Sequence, residues 1–365
     1  EVEASVDGGW VEAKHSLPVV TANGGPVLSS PLLVTITYAD DTNRAFEEAL
    51  GAFMPTSKWL TNASEYGVGP GTSANVELTD DAPATIDDGA IQTLIASLIT
   101  AGTAPDPLAD AGADAGAFRQ AVYVYYVPPT TNVTYGSSTL CQISSGGYHF
   151  ESSNAVNGHT FAYAVVSPCP NGLPVAAPEN LVWAASHEFV EACTDPYPVS
   201  AAGFVMSDTA QPWADIGGEV GDLCTFVFPQ ASEGPYTALQ RIYSNASAKA
   251  GGDPCLPSQG TAFGADVEPQ AFVPLAAGKS TTFQVTGWST APTAPWSLTA
   301  DPYAVQGNAQ PPTVLGTSTL QNGETTTLTV TMPAGTPSGT VVDLYVTSAV
   351  GNLDYSTAVA GVYVP

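Results

Sequence analysis

Ser186-His187-Glu188-Phe189-Val190-Glu191 sets one imidazole and two carboxylates within little more than a helical turn. In a helix, His187 and Glu191 stand at i and i+4 and lie one above the other on the same face. Glu188 falls beside them, where a carboxylate can poise a water molecule. A zinc hydrolase site is built from these residue types, and the stretch departs from the familiar His-Glu-x-x-His pattern by ending on Glu. Pro178 suits the first turn of a helix, and Asp195-Pro196 stops one, so a helix is predicted from Glu179 to about Thr194. Val182, Phe189 and Cys193 share one face of it. Trp183, His187 and Glu191 share another, so the motif face is distinct from the most apolar one.

A tetrahedral catalytic zinc takes three protein ligands and leaves one position open. His187 and Glu191 supply two, and Gly218-Glu219-Val220-Gly221-Asp222-Leu223-Cys224 is the best source of the third. Glu219 is the expected ligand. Asp222 is expected either to join the metal ligands or to orient His187 through its other ring nitrogen. Glu188 is expected to act as general base on a water activated by the metal. The chain has four histidines (His15, His149, His159 and His187), so a three-histidine site would consume nearly all of them and a carboxylate-rich one is expected. His149, or its neighbour Tyr148, is expected to steady a developing oxyanion, although His149 also reads as a hydrogen-bonded structural histidine. His159 follows Asn157-Gly158 and reads as a turn residue.

The charge balance bears on that cluster. The 365 residues hold 34 Asp plus Glu but only 7 Lys plus Arg, a formal net charge of −27. An exposed face of ion pairs would explain the motif cheaply, but it lacks cations to pair with, which leaves a metal ion as the natural partner. Such a surface repels nucleic acid and anionic membranes. It loses its self-repulsion in acid, so an acid-tolerant exported protein is expected. The first residue is Glu1 and not Met, which reads as a processed form, and no apolar run approaches the ~18 residues of a membrane span. Five cysteines without Cys-x-x-Cys spacing argue against a thiolate zinc cluster. The pairing expected is Cys141–Cys169 and Cys224–Cys255, with Cys193 left free.

Residues 1–260 mix strand and helix signals: strands at 32–38, 121–127 and 160–166, and helices at 43–54, 57–65 and 86–101. Residues 265–365 change to Thr, Val, Gly and Pro in short alternating runs, with a hairpin signal at Asn322-Gly323. This pattern predicts an all-β, immunoglobulin-like sandwich. It holds no Cys and no His, so it is expected to stabilise the protein or attach it to a surface and to carry no chemistry.

An ordered series of segments resembles the Exordium-like (phosphate-induced protein) family of exported proteins and its bacterial relatives. The series runs through Ser57-Lys58-Trp59-Leu60, Glu65-Tyr66-Gly67-Val68-Gly69, Gly147-Tyr148-His149, Ala162-Tyr163-Ala164, Ser186-His187-Glu188 to Glu191, and Thr194-Asp195-Pro196. It continues with Trp213, Glu219-Val220-Gly221-Asp222-Leu223-Cys224 and Ser244-Asn245. The resemblance implies a secreted or cell-wall protein with a metallopeptidase-like core, hence an α+β, zincin-like domain ahead of the sandwich. The motif also looks like that of the gluzincins, zinc peptidases whose third ligand is a downstream Glu followed closely by an Asp. The leading expectation is a secreted zinc peptidase acting on a peptide or protein substrate. The alternative is a non-catalytic extracellular or cell-wall-associated binding protein. Its cation would be a zinc closed by Asp222 or Asp215, or a calcium held by Asp208, Asp215, Glu219 and Asp222. A carboxylate at position 191 competes with protons at lower pH than an imidazole does. Glu191→His is therefore expected to weaken metal affinity at about pH 5; a titration showing tighter binding by the variant would refute this.

Overall fold

Leu32-Leu33-Val34-Thr35-Ile36-Thr37-Tyr38 forms a strand (β1, Leu32–Tyr38) buried along nearly its whole length, as its unbroken apolar and β-branched run requires. The computed structural model describes Ala13 and residues 16–108, 119–135, 138–143, 146–169, 177–305, 310–316, 319–351 and 354–365. His15 lies outside the described residues. Around β1 come α1 (Arg44–Phe53), β2 (Thr72–Leu78), α2 (Asp88–Thr100), β3 (Ala121–Tyr126), β4 (Gly147–Glu151), β5 (Ala162–Val166) and α3 (Glu179–Thr194). The strands form one sheet in the order β2-β1-β3-β5-β4. All neighbours are parallel except β4, which runs antiparallel to β5 at the edge.

Alternation along β1 and β3 divides the core. Leu33, Val122, Val124 and Tyr126 pack with α3 and with Leu50 of α1. Val34, Ile36, Tyr123 and Tyr125 pack on the other face with Ile91, Ile95 and Ile99 of α2. The region is thus a mixed α/β layer structure. The Asp87 carboxylate caps α2 by accepting the Ala90 N–H at 2.8 Å. The 57–65 segment is a 3-10 run, Trp59–Tyr66, and not an α-helix.

α3 has the predicted limits and is buried from Asn180 to Thr194. A helix buried all round is normally apolar all round. This one carries His187, Glu188 and Glu191 inward. The cheap explanation of the motif as an exposed polar face is therefore excluded.

The later chain supplies β6 (Val227–Phe228), β7 (Phe263–Glu268), β8 (Ser280–Ser289), β9 (Trp296–Val305), β10 (Thr313–Leu315), β11 (Thr319–Leu320), β12 (Thr325–Thr331), β13 (Val341–Val350) and β14 (Asp354–Tyr363). They form two sheets, β7-β8-β12-β10 and β6-β14-β13-β9-β11, whose apolar side chains share one core. β6 belongs to the earlier region yet pairs with β14, so the two parts of the chain are joined by backbone hydrogen bonds. Asn322-Gly323 is not a hairpin turn: β11 pairs with β9 and β12 with β8, so it carries the chain from one sheet to the other.

Both expected disulfides are present, Cys141–Cys169 and Cys224–Cys255, and Cys193 is buried and unbridged. Among the described residues no helix is long and apolar enough to cross a membrane.

Glu47 of α1 is fully buried, and neither carboxyl oxygen meets a hydrogen-bond donor. Burial, reinforced by Asp41, pushes its pKa up to about 9 from 4.5. The folded state therefore keeps a proton that the unfolded chain releases. The associated stability is complete below pH 4.5 and is lost as pH rises through 9. The melting temperature is expected to fall between pH 5 and pH 9, and Glu47→Gln to flatten that slope in thermal melts (pH values at roughly the ends of this window).

Candidate metal centre

Two elements press onto the motif face of α3, and glycines let them approach. A side chain at Gly147 of β4 would stand 2.8 Å from Glu188 Cγ, and one at Gly221 would stand 2.5 Å from Glu191 Oε1. His149, two residues along β4 from Gly147, points to the same side. Its Nδ1 lies 3.4 Å from Glu191 Oε2 and 3.7 Å from Glu188 Oε2, and its Nε2 lies 3.6 Å from Glu219 Oε1. That nitrogen is also 3.3 Å from the Asp195 carbonyl. His187 Nε2 lies 3.2 Å from Glu191 Oε2 and 3.8 Å from Asp222 Oδ1.

The site thus forms two overlapping triads able to hold a metal ion, His187–Glu191–Asp222 and His149–Glu188–Glu191. Glu219, the third ligand expected from sequence, stands against His149 and not with His187. Its Oε1 is buried without a hydrogen-bond partner. Asp222 takes the place beside His187 because its backbone N–H donates to Glu191 Oε1 at 3.0 Å, drawing the loop onto the helix. The Asp222 carboxylate also accepts the Glu219 N–H at 3.1 Å.

The residue that orients His187 is Gln240, which the sequence reading missed. Its Oε1 accepts from His187 Nδ1 at 2.6 Å and its Nε2 donates to the Gly221 carbonyl at 2.6 Å. With Nδ1 donating to Gln240, Nε2 is the ring nitrogen turned to the carboxylates. Ser186 Oγ and the Trp59 indole hold the Gln240 backbone, and Trp183 stacks on His187 with ring centres 5.4 Å apart. The only signal in the sequence was one polar residue after an apolar run, Ala238-Leu239.

Tyr148 alternates with His149 along β4, and its hydroxyl donates to Asp88 at 2.6 Å, beside Tyr163 at 2.7 Å, while its side chain lines the same cavity as the cluster. His159 sits at a turn, bridged to Val156. The all-oxygen calcium set does not assemble. Asp208 accepts from Ala210 N and Gln211 Nε2 in its own turn, while Glu219 and Asp222 face histidines.

Burial opposes charge on both histidines, but the surrounding carboxylates prevail and raise their pKa values well above 6.5. Burial likewise opposes ionisation of Glu191, yet His187 and His149 hold it down at about 2. Glu188 and Glu219 are raised chiefly by burial, and Asp222 is raised to about 7 by burial and by Glu191. Among the described residues no Lys or Arg lines the cavity of about 560 Å³ into which these groups open. Glu191 is thus the carboxylate of the cluster that stays ionised furthest into acid.

No protein-family model matches the chain, and no curated protein matches it. Among solved structures, one similar chain is a nucleoside hydrolase-related hypothetical protein from Saccharophagus degradans associated with carbohydrate metabolism. It is 12% identical, covers 28% of this chain and 25% of its own, and has a TM-score of 0.22. Likeness at that level carries no argument about fold or activity.

Gln240→Leu would remove the acceptor from His187 while keeping the backbone contacts. It is expected to lower affinity for an added divalent metal ion by about 10–100-fold with the fold retained, as read by competitive metal titration and circular dichroism.

Proposed function

We propose that the protein is an exported metal-dependent peptidase with a zincin-like core, and that the cation is zinc. The observation carrying this reading is the spacing of the site. The five histidine–carboxylate approaches span 3.2–3.8 Å. Charge-assisted hydrogen bonds close to about 2.7–2.9 Å, whereas two ligands of one tetrahedral zinc stand about 3.3 Å apart. The buried, donorless Glu219 oxygen and the excess of carboxylates over cations fit a divalent ion as well. His187, Glu191 and Asp222 would hold it.

Such an ion supplies Lewis acidity, polarising a carbonyl and acidifying water. Glu188 lies beside the ligands, and burial raises its pKa, so it can take a proton and return it to a leaving amine. His149 on β4 can donate to an oxyanion. β4 ends the sheet order, a position at which an extended peptide can add as a further strand. Two disulfides and the resemblance to the Exordium-like family support an extracellular location. The acidic cleft disfavours nucleic acid.

The second reading is an extracellular binding protein with a structural cation. It draws on His149, which with Asp222 offers more protein ligands than an open catalytic site needs. Elemental analysis of the purified protein is expected to show zinc. Glu188→Gln is expected to retain the metal and lose about 10²–10⁴-fold in cleavage of a denatured protein. Equal cleavage by both proteins would remove Glu188 from the mechanism; zinc without any cleavage would favour the structural reading.

A further inference from the structure

The metal centre offers more ligands than one ion can use. Its two triads do not merge: His187 and Asp222 belong to one, His149 and Glu188 to the other, and Glu191 alone belongs to both. Within each triad the ligand atoms lie within 4.8 Å of one another. Glu191 Oε2 meets both imidazoles, at 3.2 Å from His187 Nε2 and 3.4 Å from His149 Nδ1. A carboxylate shared in this way can join two ions at the separation of about 3.5–4 Å found in two-metal sites.

His149 is oriented as His187 is. The Asp195 carbonyl faces its Nε2 at 3.3 Å and can only accept, so Nδ1 is the ring nitrogen turned to Glu191 and Glu188. An acceptor behind one nitrogen and ligand partners before the other is the arrangement that fixes metal-bound histidines. His149, Glu188 and Glu191 are all buried, and they arrive from β4 and α3, which Gly147 lets close on each other. The opposite wall of the cavity comes from the C-terminal sheets, with Tyr303 of β9 and with Tyr345 and the buried Asp343 of β13. There the two tyrosines stack with ring centres 4.0 Å apart, and Phe226 packs on Tyr345 at 4.9 Å. That wall brings no imidazole, so a second ion has to be held from β4 and α3.

Charge points the same way. Four carboxylates, of Glu188, Glu191, Glu219 and Asp222, face the two imidazoles. With the imidazoles neutral and the carboxylates deprotonated, as ligation requires, one divalent ion offsets two of the four charges and a second offsets the others. We propose that His149, Glu188 and Glu191 form a second divalent-cation site, joined to the first through Glu191. The site stands on this geometry, and one consequence rests on the peptidase reading. With the second position filled, Glu188 is a ligand and no longer a free base, and His149 is no longer a free donor. The centre works with one ion and is shut off by the second, which makes the free metal concentration its regulator.

The test uses the full chain, stripped by a chelator and dialysed against graded zinc. Two ions per chain are expected at saturation, falling to one in His149→Ala and in Glu188→Gln, with the first ion's affinity kept within about tenfold. Glu188→Gln is nearly isosteric and guards against misfolding of the histidine variant. Manganese in place of zinc is expected to give the electron paramagnetic resonance signal of an exchange-coupled pair, lost in both variants. One ion at saturation overturns the site, and so do two uncoupled ions or a second ion that survives both substitutions. Two coupled ions in a protein that cleaves nothing uphold the site and remove the peptidase reading; one ion with cleavage does the reverse. Where cleavage occurs, it is expected to peak as the first position fills and to fall at least about tenfold as the second does. Undiminished cleavage with both ions bound overturns the shut-off.

Discussion

The structure turns on one costly arrangement: a buried helix that carries an imidazole and two carboxylates to the wall of a cleft. Charge taken out of water must be matched by charge or by hydrogen bonds. Here the match is built from parts far apart in the chain. β4 delivers His149, the 217–224 loop delivers Asp222 and Glu219, and Gln240 fixes the ring of His187 from behind. Glycines at 147 and 221 exist to let those parts come near enough. The remaining imbalance, more buried acids than histidines around one cleft, is the property that a bound divalent ion would resolve.

Much of this was legible in the sequence because it is local. The limits of α3 followed from Pro178 and Asp195-Pro196, and the buried parallel strands followed from their unbroken apolar runs. The helix spacing of His187, Glu188 and Glu191 is a property of any α-helix. What was not legible is which distant residue arrives beside them. Glu219 and Asp222 are three residues apart, and the choice between them is made by one backbone hydrogen bond from Asp222 to Glu191. Gln240 carries no pattern at all, since its role depends on a register set by Trp59 and Ser186. Asn322-Gly323 misled for a similar reason: a tight turn specifies a reversal of direction, not which sheet the chain enters next.

The C-terminal region shows the same limit from another side. Its lack of histidine and cysteine spoke against chemistry of its own; among the described residues the candidate metal triads come from the earlier region. It contributes shape and charge instead. An aromatic pair and a buried acid can be read from β-strand alternation only once it is known that the outer face of that sheet meets a cleft.

The stretch from Asp222 to Phe228 joins all of these. Asp222 faces His187, Cys224 is anchored to Cys255, Phe226 backs the tyrosines, and Val227–Phe228 runs as a strand of the other unit's sheet. The C-terminal region is therefore not a detachable module of the kind that can be traded between proteins while the core carries on. Exchanging it would remove the strand on which Val227–Phe228 pairs and so disturb the segment that carries Asp222.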